Sequence, residues 1–359
     1  MRQFKPSIWV ITLLILIAVF WVMKNSLLQD KPNIRIAVSR TPLSAPIYIA
    51  DSLGYFSSAG LNVELIEKNG GNLCFQLMMD GTTDFATSSD SVIMFNGFKQ
   101  NDFENLATFV QSGHDVKVLT KSSKGILSAK DLKGKKVAII KGSASEYFLD
   151  MFLAIEGIKF SSVILVDLPA NEMPLALERN QVDAIVVWEP FAYKAIKKLG
   201  DEAVLLSSSN LYELTFNLLA KKQTTLNNLK TSIKVIAALE QAVAYINANE
   251  VKAQQILKDR LNLDQAFIKW IWSDYLYDVS LNRSLILSLE NEARWAISRG
   301  LTSKKVIPDY RKFMNPEPLM VVSPYSVLIK AFLHDIKTNV GRFAQTSVSF
   351  GNLLFAFRA

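Results

Sequence analysis

The sequence predicts an α/β protein built as two similar lobes with a cleft between them. Three observations predict this. Short apolar strands alternate with amphipathic helices from about residue 33 onward. The same rhythm restarts at about residue 116. The chain has 359 residues, of which 50% are hydrophobic and 20% charged, which is enough apolar material for about two folded domains. Strand–helix–strand alternation argues for largely parallel sheets, because crossover helices cover both faces.

In the first half, Asn33 to Ser39 alternates at period two and reads as a strand. A helix over Ile47 to Phe56 follows, then a strand over Leu61 to Ile66 and a helix over Leu73 to Asp80 closed by Gly81. Asp84 to Thr87 is a strand, Asp90 to Gln100 a helix, and Asn105 to Gln111 and Val116 to Thr120 are strands. The second half continues with a strand over Lys136 to Ile140 and a helix over Glu146 to Ile155, which carries Tyr147, Phe148, Met151, Phe152 and Ile155 on one face. Val163 to Val166, Met173 to Arg179 and Ala184 to Val187 complete it as strand, helix and strand. After about residue 222 the pattern turns helical, over Thr224 to Asn249, Val251 to Leu261, Asp264 to Tyr275 and Ser284 to Arg299. Trp270, Trp272, Tyr275, Tyr277 and Trp295 fall here and read as core.

At the N-terminus, Arg2 and Lys5 precede an apolar run from Ile8 to Met23. A positive flank before an apolar run marks export, and the run is close to the shortest span of a bilayer, roughly 17 residues. No small-residue cleavage site stands out. The segment 1–29 is therefore expected to be an uncleaved membrane anchor, with a cleaved signal peptide as the alternative. The stretch 331–359 has weak periodicity and is too polar for a second span.

Composition excludes several function classes. The formal net charge of +7 is spread along the chain, and no Lys/Arg block suits a nucleic acid. Cys74 is the single cysteine, so no intrachain disulfide forms, and His114 and His334 lack metal-ligand spacing. No nucleophile elbow, P-loop or dinucleotide fingerprint occurs, so neither catalysis nor a cofactor is expected.

Two lobes imply a cleft at strand C-terminal ends, where small ligands bind. Four loops follow such ends: Ser39 to Pro46, Thr87 to Asp90, Lys141 to Ser145, and Trp188 to Pro190. Three lead directly into helices, whose unpaired N–H groups suit an anionic ligand group. The same residues also make ordinary caps: Ser143 with Glu146 forms a capping box, and Ser89 or Asp90 caps the next helix. Trp188 and Glu189 read either as a stacking surface with a carboxylate facing the cleft, or as a plug at the sheet edge beside a solvated glutamate.

Several runs resemble the nitrate/sulfonate/taurine and thiamine-precursor branch of ABC-transporter solute-binding proteins. They are Ala45-Pro-Ile-Tyr-Ile-Ala-Asp-Ser-Leu-Gly-Tyr-Phe56, Gly60-Leu-Asn-Val-Glu-Leu65, Gly81-Thr-Thr-Asp-Phe-Ala-Thr-Ser-Ser-Asp90, Asp131-Leu-Lys-Gly-Lys-Lys-Val-Ala138, Val182-Asp-Ala-Ile-Val-Val-Trp-Glu-Pro190 and Glu317-Pro-Leu-Met-Val-Val-Ser-Pro324. The resemblance implies a two-lobed type II periplasmic-binding-protein fold. One lobe would span 33–117 with 212–330, the other 118–211, and 331–359 would be an extension. It implies capture of a small polar molecule by hinge closure for an ABC permease and ATPase, on the extracytoplasmic face of a bacterial inner membrane. The implied ligand shell is Thr41, Ser44, Ser89, Asp90, Ser143, Ser145, Trp188 and Glu189. A membrane-anchored sensing or accessory ectodomain is the second reading. The pyrimidine-synthesising relatives form a third, but they carry a cysteine-rich motif that Cys74 alone does not supply.

Overall fold

A computed structural model of the chain describes residues 31–206 and 211–327. The expected anchor and the C-terminal extension lie outside the described residues. Among the described residues, no helix is long and apolar enough to cross a membrane.

The first lobe opens with β1 (Asn33–Ser39), α1 (Ala45–Ser52), α2 (Tyr55–Ser58), β2 (Asn62–Lys68), α3 (Gly71–Met79), β3 (Phe85–Ser89), α4 (Asp90–Gly97) and β4 (Phe103–Ser112). The chain then crosses to the second lobe through β5 (Val116–Lys121), β6 (Lys136–Ile139), α5 (Ala144–Ile155), β7 (Ile164–Asp167), α6 (Met173–Glu178), β8 (Ala184–Trp188), α7 (Phe191–Leu199) and β9 (Ala203–Leu206). It returns through β10 (Leu214–Lys221) to α8 (Lys222–Asn227), α9 (Leu229–Ala248), α10 (Glu250–Leu261), α11 (Gln265–Trp272), β11 (Leu276–Ser280), α12 (Arg283–Ser298) and α13 (Glu317–Val322).

The first sheet has the order β11-β4-β10-β3-β1-β2 and the second β7-β6-β8-β5-β9. In each, only three strands pair in parallel: β2, β1 and β3 in one, β7, β6 and β8 in the other. The remaining strands join by antiparallel pairing. The sheets are thus mixed rather than largely parallel. The reason lies in the connections: the chain enters and leaves each sheet across the lobe boundary, where no crossover helix is needed.

Burial explains the element boundaries. β4 is buried along nearly its whole length, as a central strand must be, whereas the edge strand β2 has no fully buried residue. α9 buries Val235, Leu239, Ala242, Val243 and Ile246 at helical spacing against the first sheet. The expected single helix over Thr224 to Asn249 breaks at Asn228, whose side chain accepts from the Thr231 N–H and caps α9. The expected helix over Ile47 to Phe56 breaks at Gly54, where φ is +72°. Strands β9, β10 and β11 were not anticipated. β11 is only five residues long, follows α11 closely, and alternates too briefly to show a period.

Gly71 opens α3 against the C-terminal end of β3. A Cβ there would meet Ser88 Oγ at 2.7 Å and Ser88 Cα at 2.9 Å. A gain in helix propensity of at most about 1 kcal/mol is outweighed by overpacking against backbone, which costs roughly 1–3 kcal/mol. Gly71→Ala is therefore expected to lower the midpoint of urea unfolding; an unchanged or raised midpoint would show that β3 yields freely.

Candidate functional site

The four strand-end loops share one arrangement. Each presents a half-buried residue next to a buried one that is tied into the lobe. In the first loop Thr41 is half-buried and caps a short 3-10 turn by accepting from the Leu43 N–H at 3.4 Å, while buried Ser44 donates to the Ser39 carbonyl at 2.8 Å. In the second, the Ser89 and Ser91 hydroxyls pair at 3.0 Å beside buried Asp90. In the third, Ser143 donates to the Ile140 carbonyl at 2.6 Å, and buried Ser145 donates to the Val186 carbonyl at 2.6 Å, which ties the start of α5 to β8. In the fourth, half-buried Trp188 ends β8 and Glu189 is buried.

The start of α5 is organised by its own side chains. Gly142, with φ +68°, donates its N–H to Glu146 at 2.7 Å, and Ser143 Oγ accepts from the Ser145 N–H at 3.2 Å. The capping carboxylate thus reaches one residue further back than a capping box would place it.

Both carboxylates that the sequence offered to the ligand are taken up by the protein. Asp90 accepts from Tyr212 OH at 2.5 Å, Ser91 N–H at 2.8 Å and Thr215 N–H at 3.1 Å. Burial pushes its carboxyl up to about 6 against these three donors, which lower it. Glu189 accepts from Tyr193 N–H at 3.0 Å and Trp270 Nε1 at 2.9 Å, and lies 3.1 Å from Lys117 Nζ. The cause is local. A buried helix start needs an acceptor, and a buried lysine needs a counter-charge, so the carboxylate nearest each is drawn inward.

Lys117 is the centre of this second cluster. It lies on β5 just past the first crossing between lobes, pairs with Glu189 at 3.1 Å and Asp274 at 3.0 Å, and donates to the His114 carbonyl. Burial works to lower its ammonium, but Glu189, Asp274 and Asp115 together hold it above the ordinary lysine value. Asp274 and Trp270 come from the first lobe and Glu189 from the second, so the cluster spans the two. Around it, the Tyr193 ring packs 5.1 Å from Phe267, and Lys197 pairs with Asp264 at 2.7 Å. Asp150 on α5 pairs with Arg299 just past α12, and the Arg299 guanidinium lies 4.4 Å from the Phe160 ring centre.

Sequence reasoning missed Lys117, Trp270 and Asp274. The available signal was a lysine inside the apolar strand from Val116 to Thr120, where a solvated charge has no place. A cavity of about 570 Å³ lies within the first lobe, lined by Asn247, Glu250, Gln254, Trp272 and Tyr277 among others, and none of the strand-end loop residues reaches it. Among the described residues, no group of three or more His, Cys, Asp and Glu could hold a metal ion. Cys74 is buried, and that burial pushes its thiol up to about 12, so it stays protonated and unreactive.

Two outcomes follow for this cluster. Glu189→Gln removes one of the two carboxylates paired with Lys117 and should destabilise the protein by about 2 kcal/mol, the scale of a charge-assisted hydrogen bond. Chemical denaturation measures it, and no loss would mean that Asp274 alone suffices. Asp115 is raised to about 7 by burial, opposed by the Tyr275 hydroxyl and Lys117. The folded protein holds a proton that the unfolded chain releases near pH 4, so this stabilisation is full below about pH 4 and lost as pH rises through about 7. Asp115→Asn should accordingly gain thermal stability relative to the parent between about pH 5 and pH 8, by on the order of a few kcal/mol. A constant difference across that range would refute the assignment.

Comparison with known proteins bears on the fold and the family. The chain is 25% identical over 242 residues, covering 66% of it and 72% of the relative, to a Bacillus subtilis protein described as an aliphatic sulfonates-binding protein. Its structure superposes on the periplasmic aliphatic sulphonate-binding protein of Escherichia coli with a TM-score of 0.68 and 20% identity, covering 79% of this chain and 97% of that one. It matches the alkanesulfonate-binding protein of Xanthomonas axonopodis pv. citri bound to MOPS with a TM-score of 0.68 and 19% identity, covering 80% and 99% of the two chains. These likenesses show a periplasmic-binding-protein fold of two mixed sheets. The sequence model described as NMT1/THI5 like matches residues 41–253, more than half of the chain, and the protein belongs to that family.

Proposed function

We propose that this protein is an extracytoplasmic solute-binding component of an ABC importer, and that its two lobes close on a small polar organic solute. The observation that carries this reading is the set of four strand-end loops, two from each sheet, with the chain passing between the sheets from β4 to β5 and from β9 to β10. The family membership and the binding-protein relatives support the same reading. Half-buried Thr41, Ser89, Ser143 and Trp188 would meet the solute. Buried Ser44, Asp90, Ser145 and Glu189 would hold those four in place.

The two ends of the cleft differ in chemistry. At the start of α5, Gly142 to Ser145 offers backbone N–H groups and the positive end of a helix, which favours a sulfonate, carboxylate or similar group. The Asp90 side carries negative charge and aromatic rings, which favours a nitrogen cation or N–H donor. A zwitterion such as an aminosulfonate, or an amino-substituted ring, satisfies both ends; nitrate satisfies one. The unreactive thiol of Cys74 speaks against a cysteine-based enzymatic reading.

A thermal-shift screen of alkanesulfonates, aminosulfonates, nitrate and aminopyrimidines should raise the melting temperature with at least one organic class. Small-angle scattering with that ligand should then show a smaller radius of gyration. Stabilisation by nitrate alone would overturn the choice of solute, and an unchanged scattering profile with a confirmed ligand would count against lobe closure.

A further inference from the structure

A second acidic side chain lies on α12, which packs against the helix that Asp90 opens, and it has no part in the contacts described so far. Glu292 on α12 is 1% exposed, and its Oε1 has no hydrogen-bond partner. Trp295, three residues on and therefore on the same helical face, is 8% exposed and its Nε1 is also without a partner. Buried polar atoms are almost always satisfied, so two orphans on one face of one helix require an explanation. Asp90 does not supply one, because its partners are Tyr212, Ser91 and Thr215. Burial first, and then Asp90, hold the Glu292 carboxyl well above the ordinary glutamate value. No lysine or arginine among the described residues forms an ion pair with either carboxylate. A cation brought beside Glu292 would lower its carboxyl and favour the ionised, accepting form.

Aromatic rings pack around this part of α12. Tyr147, from the second lobe, packs edge-on against Tyr212 at 5.5 Å and against Trp295 at 5.1 Å. Its hydroxyl is raised by burial first, then by Glu292 and Asp90. Tyr147 belongs to the first turn of α5, the helix whose start forms the anion-favouring end of the cleft. Part of the cover over Glu292 and Trp295 therefore comes from the opposite lobe and leaves when the lobes separate.

We propose that Glu292, flanked by Tyr147, Tyr212 and Trp295, receives a cationic nitrogen of the solute and makes the cleft selective for amine-bearing ligands. The proposal rests on the solute-binding reading and assigns specificity to α12, which lies beyond the residues matched by the family. The solute nitrogen donates to Glu292 Oε1 and neutralises the acidic pair. The rings supply π-faces to the charge, and the Trp295 N–H finds an acceptor on the same ligand.

Matched ligand pairs test this on the full-length chain by calorimetry. Taurine and ethanesulfonate differ only in the ammonium group, as do aminomethylpyrimidine and methylpyrimidine in their amine. The parent protein should bind the amine-bearing member of at least one pair about tenfold more tightly or better, the factor that a charge-assisted hydrogen bond supplies. Glu292→Gln should erase that preference while leaving affinity for the amine-free member within about twofold. Trp295→Phe, which keeps a ring and removes the N–H, should weaken the amine-bearing ligand several-fold and serves if Glu292→Gln fails to fold. Equal binding of both members by the parent, or a preference that survives in folded Glu292→Gln, overturns the proposal and leaves the solute-binding reading standing. Failure of the parent to bind any of the four removes the solute-binding reading for these classes, and the proposal with it.

Discussion

The relative position of the two lobes depends on how one buried ammonium group is satisfied. Lys117 carries its charge into a site that is almost fully enclosed, and a lone ammonium there would cost several kcal/mol in lost hydration. Glu189 from one lobe and Asp274 from the other offset that cost only when the lobes are close enough to share it. The indole N–H of Trp270 and the backbone N–H of Tyr193 complete the shell of Glu189. An interaction of this kind is directional and short-ranged, so it fixes a separation and an angle where apolar contact alone would tolerate sliding. The exposed pair Lys197–Asp264 adds less, because solvent screens it.

Much of the fold was legible in the sequence for identifiable reasons. β1, α5 and β8 have strong periodicity and clear punctuation, and their boundaries fall within two residues of the reading. What was hidden depended on the other lobe. Nothing in the segment from Leu214 to Lys221 reveals that it inserts between β3 and β4, because an apolar strand has the same pattern whichever neighbours it meets. The site divides similarly. The four loops were visible as small polar residues after apolar strands. The direction in which Asp90 and Glu189 point was not, since it is set by Tyr212, Thr215, Lys117 and Trp270, which are distant in sequence or, like Trp270, read only as helical core. Glu292 escaped notice for the same reason: a glutamate on an amphipathic helix reads as a solvated face until the packing of α4 and α12 encloses it.

Under the proposed solute-binding role, the cleft would combine rigid and adjustable parts. Ser44 and Ser145 donate to strand carbonyls and so lock their loops to the sheets beneath them. Preorganisation of this kind limits the ordering cost of binding. The aromatic contacts of Tyr147 are of a different sort, because edge-to-face rings are held weakly and release without leaving a charge unpaired. Lobe separation at that end therefore costs less than at the Lys117 end, which favours opening as a hinge rather than as a parallel withdrawal.

The place of β10 in the first sheet has a consequence for how the chain is made. β3 and β4 do not touch each other in the finished sheet; each pairs with β10, which is synthesised only after the entire second lobe. A nascent chain that has emerged as far as Ser112 holds the parallel strands and one strand awaiting a partner about a hundred residues away. The second lobe is continuous and is free to fold as soon as it appears, while the first must wait with an open edge. Loop-closure entropy across so long an interval delays the long-range pairing further. The sheet of the discontinuous lobe is therefore completed only after the continuous lobe has been made.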